Sequence, residues 1–116
     1  HPEIDEIAVV CIHGWEPVLL AYADQFNITK LKYVVPGGEN GQESIKNGVF
    51  ELEKHYKDDD IVLIHDAIRP LVSAEIISDC IRVTQLYGNA VTVIPCAEAM
   101  LQTEESLLTE AVPVIT

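Results

Sequence analysis

Asp66 and Arg69 are the residues most able to do chemistry together. They stand three apart in the run His65-Asp66-Ala67-Ile68-Arg69-Pro70, directly after the aliphatic stretch Ile61-Val62-Leu63-Ile64. A carboxylate and a guanidinium so placed offer an acceptor for hydroxyls or a cation and a planar donor fork for an anion. Pro70 fixes its own φ and biases Arg69 away from helical geometry, so the turn should be stiff. A surface ion pair capping a strand would use the same residues, at about 0 to 1 kcal/mol.

Charge sharpens the choice. Nineteen acids against seven bases give a net charge of −12, which disfavours nucleic acid and anionic membranes as partners. A phosphate ligand would therefore need a local basic spot, and Arg69 and Arg82 are the only two arginines. Asp58-Asp59-Asp60 reads as a solvated turn, since adjacent side chains diverge too far to share a metal ion. Cys11, Cys80 and Cys96 lack metal-ligand spacing and read as reduced thiols of an intracellular protein. The apolar runs are too short to span a bilayer as helices.

The elements that must position these groups alternate. Residues 60–64 read as a strand buried on both faces, 6–13 as a second buried strand, and 31–35 and 90–96 as further strands. Between them, Pro17 opens a helix whose apolar face carries Val18, Leu19, Tyr22, Ala23 and Phe26. Residues 44–57 read as a helix starting at Ser44 or slightly earlier, and Ser73 caps another that Gly88-Asn89 ends. Strand, helix, strand is the pattern of a parallel sheet with crossover helices. Ligands of such sheets bind beyond the carboxyl ends of the strands, where Asp66 and Arg69 would lie.

A second stretch, Pro36-Gly37-Gly38-Glu39-Asn40-Gly41-Gln42-Glu43-Ser44, holds three glycines in five positions. It allows close backbone approach to a ligand, yet lacks the Gly-Lys-Ser/Thr ending of a phosphate loop. A glycine-rich turn ahead of a helix cap is the plainer reading.

His65-Asp66-Ala67-Ile68-Arg69-Pro70 resembles the HDAxRP signature of the sugar-alcohol-phosphate cytidylyltransferases. Gly37-Gly38-Glu39 with Ser44-Ile45 resembles that family's GG-x(5)-S segment. The resemblance implies an α/β fold: a Rossmann-like, mostly parallel sheet with helices on both faces, of the nucleotide-diphospho-sugar transferase type. It also implies that residues 1–103 are the central part of one such domain, without the family's N-terminal strand and glycine-rich loop, so that these residues alone would be inactive. Residues 104–116 would begin a dimerisation arm or match a helix and strand nearer the family's C-terminus.

The implied reaction is transfer of CMP from CTP to 2-C-methyl-D-erythritol 4-phosphate. Ribitol 5-phosphate as acceptor, or a non-catalytic α/β domain for nucleotide binding or assembly, remain alternatives. Gly38, Glu39 and Ser44 would contact the base, with Asp66 and Ala67 also beside the nucleotide. Asp66 and Arg69 would be the catalytic pair and hold the acceptor, and Asp66 would ligate Mg²⁺. Ala99 stands where the family has a phosphate-touching Thr and cannot donate that hydrogen bond. His65 is expected to pack at a strand end. A cytoplasmic homodimer completes what the resemblance implies.

Overall fold

The structure is a computed structural model that describes residues 1–95, 100–104 and 107–112. Two parallel strands form its centre: β1 (Ile7–Cys11) pairs with β2 (Leu31–Pro36), Val9 opposite Val34 and Val10 opposite Val35. The ladder is extended at both ends, by Ile7 N–H donating to Lys30 O at 2.8 Å and Gly37 N–H donating to Cys11 O at 3.0 Å. β-Branched Ile7, Val9 and Val10 in β1 face a β2 that carries Tyr33, Val34 and Val35, residue types that a pleated, half-buried surface favours.

Helix α1 (Glu16–Gln25) connects them, with Pro17 in its first turn. It closes where Asn27 takes φ of 53°, a left-handed conformation asparagine tolerates better than most residues. Helix α2 (Gly41–Glu53) packs on β1 and β2. It approaches β1 so closely that a Cβ at Gly48 would lie 2.9 Å from Val10 Cγ2. Helix α3 (Ala74–Tyr87) has the expected ends. Ser73 Oγ accepts from Ile76 N–H at 3.3 Å, and Gly88 closes the helix at φ of 91°. Its first turns are tied to the segment before β1, because His1 Nε2 lies 3.2 Å from Ala74 O and 3.0 Å from Ser78 Oγ. His1 Nδ1 accepts from Glu3 N–H, so Nε2 carries the proton.

Strands β3 (Met100–Glu104) and β4 (Leu107–Val112) pair antiparallel as a hairpin. Among the described residues no helix is long and apolar enough to cross a membrane.

The α/β class holds, but the sheet is narrower than the apolar pattern suggests. Residues 61–64 and 90–94 join no ladder, and all but the half-buried Leu63 and Ala90 are exposed: Ile61 is 42% accessible, Ile64 59% and Val93 83%. β-Branched composition suits a residue to a pleated surface, but a strand in a sheet also needs a neighbour presenting a matching row of N–H and C=O groups. Among the described residues neither run has a ladder partner. Ala23, Val35 and Gly48 are the buried residues described. The chain accordingly exposes 10044 Å², where a compact protein of this mass would expose about 6300 Å².

Helix α2 also starts earlier than Ser44. Asn40 is its cap, with Oδ1 accepting from Glu43 N–H at 2.9 Å, while Ser44 sits inside the first turn. The helix gives way to turns after Glu53 rather than continuing to Lys57.

Candidate functional site

The glycine stretch leaves β2 at its carboxyl end, beside the carboxyl end of β1, where a parallel sheet offers its binding crevice. Its backbone is held amide by amide. Gly37 N–H donates to Cys11 O at 3.0 Å, Gly38 N–H to Ser44 Oγ at 3.0 Å, and Glu39 N–H to Glu43 Oε2 at 2.8 Å. Ser44 Oγ donates in turn to Asn40 O at 3.0 Å, and Asn47 Nδ2 donates to Pro36 O at 3.3 Å. Positions 43, 44 and 47 share one face of α2 at helical spacing, so the helix grips the loop along that face. An open hollow of about 650 Å³ adjoins it, lined by Asn40, Gln42, Glu43 and Lys46.

Gly38 is required by contact rather than by dihedral angle. A Cβ there would fall 2.4 Å from Glu43 Cγ, so the Glu43 side chain lies across the glycine. Sequence reasoning singled out Gly38, Glu39 and Ser44 but gave Glu43 and Asn47 no part in holding the loop. The legible signal for Glu43 was Asn40-x-x-Glu43, the spacing of a capping box. Here the carboxylate reaches past the cap residue to the amide of Glu39.

The second group is the turn after Ile64. Arg69 N–H donates to Asp66 O at 3.0 Å, His65 Nε2 donates to Arg69 O at 3.0 Å, and Arg69 Nε donates to Asp66 Oδ2 at 3.2 Å. The predicted pair is thus formed, in a turn that also contains Ala67. The side chains of Arg69 and Asp66 are 75% and 61% accessible. The contact uses Nε alone, and among the described residues the two Nη groups have no partner, so the fork remains able to take an anion. His65 is exposed and locks the turn instead of packing at a strand end.

Among the described residues no hydrogen bond or ion pair joins this turn to the glycine loop. Ala99 lies outside the described residues. Among the described residues no group of three or more His, Cys, Asp or Glu could by itself hold a metal ion. Asp58, Asp59 and Asp60 line a hollow of about 550 Å³ with the end of α3, at the opposite end of residues 61–64 from Asp66. Asp60 Oδ2 accepts from Lys57 N–H at 2.9 Å there, which makes this a turn, as read from the sequence. Two carboxylates are held below the ordinary 4.5, both away from these groups. For Glu16 the first cause is its own backbone N–H; for Glu51 it is the hydrogen bond from Lys54, then that from His55.

The family model described as 2-C-methyl-D-erythritol 4-phosphate cytidylyltransferase matches residues 1–112. A ribitol-5-phosphate cytidylyltransferase of Lacticaseibacillus paracasei is 48% identical over 98 residues, covering 84% of this chain and 42% of the relative. The protein of that name in Vibrio parahaemolyticus is 43% identical over 98 residues, covering 84% of this chain and 41% of the relative. A 2-C-methyl-D-erythritol 4-phosphate cytidylyltransferase of Clostridium botulinum is 43% identical over 90 residues, covering 78% and 38%. The chain thus spans about two fifths of the length of these relatives.

Proposed function

Because the chain belongs to the 2-C-methyl-D-erythritol 4-phosphate cytidylyltransferase family, we propose that the protein carrying it transfers CMP from CTP to the phosphate of a sugar alcohol. An acceptor phosphate oxygen forms a bond to the α-phosphorus of CTP as the bond to pyrophosphate breaks. Such a transfer gains most from positioning and from charge placed around the phosphates. The observation that carries this reading is the glycine loop, fixed amide by amide at the carboxyl ends of two parallel strands.

In this reading Gly38, Glu39 and Ser44 border the cytosine. Ser44 spends its hydroxyl on Gly38 and Asn40, so it works on the base chiefly through the loop it shapes. Arg69 takes the acceptor phosphate through its Nη groups, and Asp66 orients Arg69 through Nε while reaching a hydroxyl of ribose or acceptor.

Asp66 also suits Mg²⁺. One carboxylate with an oxygen to spare is what this ion takes from a protein when substrate phosphates supply the rest. Bound there, it would neutralise charge on the triphosphate. The hairpin of β3 and β4 is assigned to association of two copies. The free thiols of Cys11 and Cys80 suit a reducing, cytoplasmic setting.

Ribitol 5-phosphate is placed first as acceptor, supported by the 48% identity of the Lacticaseibacillus paracasei relative and by the longer alignments of both relatives of that name. 2-C-Methyl-D-erythritol 4-phosphate is the second reading, supported by the family description and the Clostridium botulinum relative. Incubating the complete protein with CTP and an equimolar mixture of both acceptors, then weighing the products, tests the order. CDP-ribitol in excess is expected; CDP-methylerythritol in excess would reverse it, and neither product would remove the proposal.

A further inference from the structure

Arg69 extends from a turn that packing does not hold. Residues 64–71 are all exposed, so hydrogen bonds and the Pro70 ring decide where the guanidinium starts. Two bonds fix its backbone: Arg69 N–H donates to Asp66 O at 3.0 Å, and Arg69 O accepts from His65 Nε2 at 3.0 Å. Pro70 biases Arg69 away from the helical region, so no later amide turns back to its carbonyl, and among the described residues the His65 ring is what fills that place. A carbonyl can only accept, so the ring donates from Nε2, as it can in both its neutral and its charged form.

We propose that His65 is a positioning residue for the acceptor phosphate. By holding Arg69 O it fixes the Cα from which the side chain departs, while Asp66 Oδ2 takes Nε at 3.2 Å and leaves the two Nη groups unused among the described residues. The backbone of Arg69 is thus held on both sides, and its side chain at Nε, before any phosphate arrives. That reduces the conformational freedom which binding would otherwise remove. The inference rests on the reading that Arg69 takes the acceptor phosphate through its Nη groups. The role needs a donor at the reach of Nε2, and neither an aromatic ring nor a charge. Glutamine carries an N–H on an arm of similar length, whereas phenylalanine keeps a ring without the donor.

The test is steady-state kinetics of the complete protein, as wild type, His65→Phe, His65→Gln, Arg69→Ala and the double variant His65→Phe/Arg69→Ala, each titrated with the sugar-alcohol phosphate that the wild type uses and with CTP. His65→Phe is expected to raise KM for the acceptor about 3- to 10-fold, one hydrogen bond's worth, while KM for CTP and kcat hold. His65→Gln should recover most of the loss. In the Arg69→Ala background His65→Phe should add less than about twofold, because the group it positions is gone. His65→Ala repeats the test without the ring if His65→Phe does not fold. A wild-type KM for the acceptor in His65→Phe, a His65→Gln as impaired as His65→Phe, an equal rise in KM for CTP, or a full further loss in the double variant overturns the inference. A loss in Arg69→Ala with none in His65→Phe removes the inference alone and leaves the role of Arg69 standing. An acceptor KM untouched in Arg69→Ala removes that role and the inference with it.

Discussion

Replacing Arg69 by alanine should separate acceptor from nucleotide. The Arg69–Asp66 contact is a single Nε hydrogen bond of 3.2 Å between side chains that are mostly in water. An ion pair of that kind contributes about 0 to 1 kcal/mol to folding. The two bonds that shape the turn involve the backbone of Arg69 and survive the substitution. Stability should therefore fall by less than about 1 kcal/mol. A guanidinium gripping a phosphate is another matter, since a hydrogen bond to a charged group is worth about 1.5 to 3 kcal/mol. Its loss should lower kcat/KM for the acceptor about 10- to 150-fold. Arg69→Lys should recover part of this, because an ammonium keeps the charge but not the fork. Pyrophosphate release measured against acceptor at saturating CTP, then against CTP at saturating acceptor, gives both constants, and a urea midpoint gives stability. Equal losses for the two substrates would refute the assignment, as would a stability loss large enough to account for the activity.

Other substitutions test how the site is held. Gly41→Ala, with open space around its Cβ, should gain up to about 1 kcal/mol of stability from helix propensity. Gly48→Ala meets Val10 and should lose about 1 kcal/mol net, so a gain at Gly48 in urea titration would contradict the close α2–β1 approach. Ser73→Ala should cost about 1 kcal/mol through loss of the α3 cap, and Ser73→Asp should not, as thermal melts would report. Glu51, held below 4.5 by the hydrogen bond from Lys54 and then that from His55, adds stability that is complete above its unfolded value and fades as pH falls through the lowered one. Stability curves of wild type and Glu51→Gln should therefore differ by a fixed offset at neutral pH and converge below about pH 4.5; an offset that persists at low pH would contradict the linkage.

What the sequence made legible was local. Ser73 and Gly88 mark the ends of α3 because a cap and a left-handed stop are each written in one residue. The alternation around β1, α1 and β2 is equally short-range. The start of α2 was legible only as Ser44 or slightly earlier because two residues compete for the cap: Ser44 resembles one, but Asn40 fills it and Ser44 turns its hydroxyl back on the loop. The runs 61–64 and 90–94 carry strand composition without a ladder, since pairing depends on a neighbour that no local pattern encodes. The site divides in the same way. Asp66 and Arg69 were visible because their bond spans three residues, whereas the hold of Glu43 on Gly38 and Glu39 needed the turn into α2 to be known.

The most direct test of cytidylyl transfer follows the phosphorus itself. CTP radiolabelled at its α-phosphate is incubated with the complete protein, Mg²⁺ and ribitol 5-phosphate or 2-C-methyl-D-erythritol 4-phosphate, and the products are separated. The label is expected in a CDP-polyol, formed in step with unlabelled pyrophosphate. Label remaining in CTP, or appearing as free CMP with no polyol adduct for either acceptor, would contradict the account.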